Sequence, residues 1–332
     1  MSGWRDGMRR VNRAPAILAG VWLLTVAASL PLALTLRSAL AQHLGSSLAA
    51  DTAASGVNYD WMQEFSGQSM GIGSTFKPTV IGFGAVLDNL SAFADKTPRP
   101  IAIVAAAGIY LGLWVFLAGG IIDRYARDRP TRAHGFFSAC GGFGVRFIRL
   151  GIVMAIVYGF LFGWMHPWLF DRVYPRMTHD VNVERTAFFT RLALYAVFFA
   201  VLAGCNLIFD YAKVRAVVED RRSMLGAIAA AIRFIGANYA GAVSLYLADI
   251  LLFVVAVAAY AAVAPGSGGT GLSMWLALAI GQGYVVARLW VKLVFWASET
   301  ALFQSRLAHA GYVAAPAPAW PDSPAAEAIG RL

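Results

Sequence analysis

Asp249 is the residue most at odds with its surroundings, because it interrupts the apolar run Tyr246-Leu-Ala-Asp-Ile-Leu-Leu252. A lone carboxylate at the centre of a bilayer costs roughly 3 kcal/mol on insertion scales and needs a partner. Asp249 lies about 13 residues into its apolar segment and Arg288 about nine residues from the inner end of the next, depths of about 19 and 13 Å at 1.5 Å per residue. An arginine side chain can cover the remaining gap of about 6 Å. Tyr246, Ser244 and Gln282 could complete a polar cluster with them. Two roles fit: a substrate or proton site, or an ion pair that fixes two helices.

A second group lies in a long polar stretch nearer the N-terminus. Asp51, Asp60 and Glu64 fall around Tyr59, Trp61 and Phe65. Carboxylates beside aromatic rings could bind a cationic or sugar-like ligand, or serve an enzyme acting on lipid at the outer face. The same residues also describe an interfacial aromatic belt with solvated carboxylates.

Other reactive residue types form no constellation. The histidines at 43, 134, 166, 179 and 309 have no ligand spacing. Cys140 and Cys205 read as small packing residues. Gly266-Ser-Gly-Gly-Thr-Gly271 lacks the Lys-Ser/Thr of a phosphate loop and reads as a flexible turn. Asp123-Arg-Tyr-Ala-Arg127 with Gly135 resembles the metal-binding motif of CDP-alcohol phosphatidyltransferases only in its Ala-Arg and Gly. Phe, Ser, Ala and Cys stand at 136 to 140 where two metal ions would need further carboxylates. No metal or cofactor is expected.

The elements that position these residues are set by composition. The chain is 59% hydrophobic and 14% charged over 332 residues, against roughly 25% charged in soluble domains. The excess apolar surface calls for lipid. Six apolar runs are long enough to cross a core about 30 Å thick: 14–36, 101–122, 147–170, 187–209, 237–263 and 273–297. The first exceeds the roughly 7–15 residues of a signal h-region and is expected to stay attached. The fold expected is an all-α polytopic bundle in one domain, 1–314, followed by a disordered Pro/Ala tail, 315–332.

With the N-terminus inside, 19 of the 27 basic residues fall in the inner segments, so the positive-inside rule puts both termini in the cytoplasm and the protein in the inner membrane. The net charge of +9 is then a topology signal, and no nucleic-acid partner is expected.

Residues 119–150 and 206–237 align: Ile121-Ile-Asp123 matches Ile208-Phe-Asp210, and Arg146-Phe-Ile148 matches Arg233-Phe-Ile235. Asp128-Arg129 sits beside Asp220-Arg221, and Trp4 to Val11 forms a fainter third copy. The unit is an in-plane cytoplasmic helix, a span out, an external loop and a span back, three times over. The first loop, 37–99, carries the insertion, with Val80–Phe93 as a helix too short to span. Met224, Leu225, Ile228, Ile232 and Ile235 give the third cytoplasmic helix an apolar face, suited to membrane lipid or to docking a membrane or cytoplasmic protein partner.

The run Phe209-Asp-Tyr-Ala212 through Val217-Val-Glu-Asp-Arg-Arg-Ser223, then Ile232-Arg-Phe-Ile235, resembles a group of uncharacterised bacterial polytopic proteins similar to the membrane domain found beside some glycerophosphodiester phosphodiesterases. The closing run Ala297-Ser-Glu-Thr-Ala-Leu-Phe303 resembles their last helix. The resemblance implies a membrane bundle and no catalytic residue. Transport or accommodation of a small or lipidic molecule, or scaffolding of a membrane complex, is the function expected.

Overall fold

A computed structural model describes residues 2–45, 47–55, 58–77, 82–266 and 271–306. The tail 315–332 and most of the glycine-rich turn lie outside the described residues. Among those described, the chain is helical throughout, with no strand. In chain order the helices are α1 (Ser2–Asn12), α2 (Pro15–Leu44), α3 (Ala50–Ser55), α4 (Tyr59–Gln68), α5 (Phe83–Ala94), α6 (Ile101–Arg127), α7 (Ala133–Phe160), α8 (Tyr174–Thr178), α9 (Glu184–Val218), α10 (Met224–Ala237), α11 (Tyr239–Val263) and α12 (Leu272–Arg306). π-helical turns at Leu161–Met165 and Trp168–Val173 join α7 to α8 in one helical run. They flank Pro167, whose missing N–H and ring displace the regular hydrogen bonds.

Six of these helical runs are long and apolar enough to cross a membrane: α2, α6, the run Ala133–Thr178, α9, α11 and α12. Their middles expose Leu30, Ile109, Ile152, Val197 and Leu251. So many large exposed apolar side chains make an integral membrane protein, with lipid as the missing neighbour.

The span boundaries follow local chemistry. Pro15 opens α2 and Pro100 caps α6, positions where a missing N–H does no harm. Asp128 and Asp220, which follow α6 and α9, both adopt positive φ (46° and 49°), the left-handed turn that ends a helix. Ser223 caps α10 by accepting from Gly226 N at 3.2 Å.

The tight core gathers at the basic end. Ile121, Ile122, Tyr125, Tyr211, Ala227, Leu293, Ala297 and Phe303 are sealed from solvent there. The short helices complete it by running antiparallel along the ends of spans. On α12, α1 sets Trp290 against Asn12, Gly7 against Ser298 and Gly3 against Leu302. On α9, α10 sets Ala230 against Arg215 and Phe234 against Tyr211. These helices therefore pack along the ends of spans. On α10, Ala227, Ala231 and Phe234 face protein, while Leu225 and Ile232 remain exposed.

The expected separate helix before the third span is absent: α7 begins at Ala133 and runs unbroken through the expected junction at 146. Pro15 breaks α1 from α2, and Asn238 breaks α10 from α11, with its side chain donating to Phe234 O at 3.1 Å. Residues 133–146 contain no proline or capping break, so the helix continues.

In the long loop, α5 bridges two parts of the end opposite the basic one. Its N-terminal Gly82 (φ +70°) lies so close to Pro265 that a Cβ would sit 2.5 Å from the carbonyl oxygen. At its other end Phe93 packs on Phe162 and Phe199, with centroids 5.1 and 6.3 Å away. Just beyond, Ala94 O lies 2.7 Å from His166 Nε2, and Asp95 accepts from Arg191 at 3.0 Å and from Tyr195. The Tyr195 hydrogen bond holds the Asp95 carboxyl below the usual carboxylate range.

Candidate functional site

The register of α11 on α12 decides which polar groups meet. Tyr246 packs on Phe295 and Tyr260 on Tyr284, centroids 5.4 and 4.2 Å apart, so the helices run antiparallel with Asp249 level with Ser298. Ser298 Oγ donates to Asp249 Oδ2 at 2.7 Å. Both residues are fully buried. Trp4 from α1 approaches the same carboxylate without reaching hydrogen-bond geometry, and Asp249 Oδ1 is left unpartnered. Next to Ser298, Glu299 is also fully buried, and both of its carboxylate oxygens lack a hydrogen-bond partner.

The expected Asp249–Arg288 ion pair is not formed. Arg288 lies ten residues before Ser298 on α12, about 15 Å along the axis at 1.5 Å per residue. Span six does not end at 297: α12 continues to Arg306, which puts Arg288 further from that end. Gln282 accepts instead from Trp22 Nε1 of α2 at 2.9 Å. Ser244 is exposed and donates to Gly241 O at 3.2 Å within its own helix.

Arg288 and Tyr246 do come together, in a cavity of about 510 Å³ walled by α6, α7, α9, α11 and α12. That volume is in the range of small-molecule sites, roughly 300–1,000 Å³. Its charged lining is Asp210, Lys213, Arg288 and Lys292. Lys213 Nζ donates to Asp210 Oδ1 at 2.7 Å, and Trp296 Nε1 reaches the same oxygen at 3.3 Å. Lys292 Nζ stands 3.4 Å from the centroid of the Trp114 ring and 5.8 Å from that of Trp296. Those two indoles meet edge to face with centroids 5.4 Å apart. Asn206 accepts from Tyr158 at the wall. The apolar lining includes Leu111, Val115, Met154 and Phe253.

The candidates in the long loop separate. Trp61 is buried with Met62 and Phe65 against α2, and its Nε1 donates to His43 Nδ1 at 2.9 Å. Asp51, Asp60 and Glu64 are exposed, and Glu64 accepts from Gln68 at 3.3 Å. Trp61 and Phe65 therefore face α2, while Tyr59, Asp60 and Glu64 are exposed on α4 and Asp51 is exposed on α3. Among the described residues no group of His, Cys, Asp and Glu has the arrangement of a metal site.

Asp210, Lys213, Lys292, Trp114 and Trp296 do not stand out as a group in the sequence, because lysines and arginines near span ends look like topology signals. The available signals were spacing: Lys213 three residues after Asp210, and Lys292 four after Arg288, put each pair on one helix face. Comparison with protein-family models, curated proteins and solved structures gives no match for this chain.

Proposed function

We propose that this chain is an inner-membrane protein, with both termini in the cytoplasm, that accommodates or transports a small or lipidic molecule in the cavity among α6, α7, α9, α11 and α12. The observation that carries the reading is the cavity itself: about 510 Å³, walled by five helices and lined by both charged and aromatic groups. Wells of this composition orient a ligand by a few polar groups and hold it by apolar contact. The orientation rests on the excess of basic residues at the end where α1, α10 and the end of α12 pack. Leu225 and Ile232 on α10 are assigned to lipid.

The threefold repeat belongs to the same proposal. Three segments support it by packing antiparallel on the end of a span: α1 on α12, the start of α7 on α6, and α10 on α9. Arg13 pairs with Asp128 at 3.5 Å, and Arg146 pairs with Asp220, so each of the two left-handed aspartates receives an arginine, though not from matching positions of the repeat. Kinship with the membrane domain found beside glycerophosphodiester phosphodiesterases is likewise proposed, on the motifs at 209–235 and 297–303.

Gly151 provides the test. It borders the cavity, and a Cβ there would meet nothing closer than Val115 Cγ2 at 4.0 Å, so Gly151→Phe fills the space without a clash at Cβ. Full-length wild type and Gly151→Phe are purified from membranes in neutral detergent and compared by native mass spectrometry. A retained molecule in the wild type that is missing from the folded variant is expected. Identical retained species in both would overturn the reading.

A further inference from the structure

The cavity's charges do not balance, and the imbalance identifies a ligand class. Asp210, its one carboxylate, is already committed to Lys213 at 2.7 Å and to the Trp296 indole at 3.3 Å. Asp249 and Glu299 are sealed in the core and line none of the cavity. Among the described residues neither Arg288 nor Lys292 has a carboxylate partner, although both lie within the membrane-spanning α12.

A cation in low dielectric needs compensation. Lys292 finds some over the Trp114 face at 3.4 Å, an arrangement that holds the ammonium while leaving N–H donors free. Arg288 lines the same cavity four residues earlier, one helical turn away. Together they offer an ammonium and a guanidinium to one oxyanion. Apart from Tyr110, Asn206 and Tyr246, the rest of the wall, with Leu111, Val115, Met154 and Phe253, is mainly apolar. It suits a hydrocarbon body and gives a free inorganic ion nothing to contact.

We infer that the cavity takes an anionic amphiphile, its phosphate or carboxylate head held by Arg288 and Lys292 and its acyl or polyprenyl body lying against the apolar wall. This rests on the reading of the cavity as a ligand site and adds the ligand's charge and shape. Lys213, neutralised by Asp210, sets the edge of the head-group position. The Trp114 and Trp296 rings close the floor beneath it.

The experiment uses full-length protein stripped of lipid in neutral detergent and titrated in parallel with stearate, stearyl alcohol, dioleoyl phosphatidate, dioleoyl glycerol and inorganic phosphate. Bound species are read by native mass spectrometry and by the shift in melting temperature. Stearate and phosphatidate are expected to bind one per chain, and their neutral counterparts at least about tenfold more weakly, the worth of a charged hydrogen bond. Arg288→Gln/Lys292→Gln should lose that preference, while Arg288→Lys and Lys292→Arg keep most of it, which separates a charge effect from misfolding.

Equal binding of charged and neutral chains, both abolished by Gly151→Phe, would overturn the inference and leave the cavity as a ligand site. Binding of inorganic phosphate as tight as that of phosphatidate would overturn the amphiphile in favour of a free oxyanion. If no probe binds and Gly151→Phe changes nothing, the inference and the function reading both fall.

Discussion

Lys292 and Trp114 face each other across the cavity floor, the ammonium 3.4 Å from the ring centroid. The contact joins α12 to α6 and keeps a cation in a cavity with no free carboxylate. Trp114→Leu should lower stability by about 1–2 kcal/mol, the range of a desolvated cation–π contact, and should weaken ligand retention. Trp114→Phe should do less of both. Thermal melts in detergent, with and without stearate, check the order.

The register of α11 on α12 predicts that Asp249 and Arg288 act independently. Asp249→Asn and Arg288→Gln should therefore add within about 0.5 kcal/mol, as separate sites do, with no rescue in the double variant. Ser298→Ala removes the hydroxyl that donates to Asp249 at 2.7 Å and should cost about 1–3 kcal/mol, the penalty for a buried group left unpaired. Rescue of Asp249→Asn by Arg288→Gln in denaturation experiments would contradict the register.

Close helix contacts at the basic end require glycine. A Cβ on Gly7 would lie 2.6 Å from Ser298 backbone atoms, and one on Gly120 would lie 2.5 Å from Cys140 Sγ and 2.8 Å from Phe136 O. Gly7→Ala and Gly120→Ala should each destabilise by about 1–3 kcal/mol through overpacking. Gly108→Ala, with nothing within 4 Å of its Cβ position, should be near neutral. The melting temperatures of the three variants give the comparison.

Acid should loosen the turn after α9. Burial pushes the Glu219 carboxyl up, but hydrogen bonds and charge from Arg215 and Arg221 outweigh it and hold it below the usual carboxylate range. A carboxyl lowered on folding stabilises above its unfolded pKa, near 4.5, and that contribution is lost as pH falls through the lower folded value. Wild type should thus lose more melting temperature between pH 7 and pH 3 than Glu219→Gln. Parallel curves for the two proteins would show that the carboxylate contributes nothing to acid lability.

Hydropathy made the spans legible, because six long apolar runs in a chain with few charges have few other uses. The α5 helix was legible too: an apolar stretch between turn residues, too short to cross, forms Phe83–Ala94. The burial of Asp249 also followed from its neighbours. Its partner did not, because hydropathy carries no interhelical register, and sliding α12 by ten residues exchanges Arg288 for Ser298. Nor did the role of Lys292 follow, since a lysine near a span end looks like a topology signal until Trp114 and Arg288 are placed around it. Glu299 was visible as a motif residue, but its complete burial depends on α1 closing over the end of α12, a contact between the two ends of the chain.

A ligand held beside Trp114, Lys292 and Trp296 would be directly visible in a cryo-electron-microscopy map of the full-length protein in nanodiscs of its own membrane lipid, the most direct test of the proposed function. Elongated density is expected in the cavity, with its head within hydrogen-bonding distance of Arg288 and Lys292 and its body along Val115, Met154 and Phe253. A cavity closed by its own side chains, or one containing only separate water-sized peaks, would contradict it.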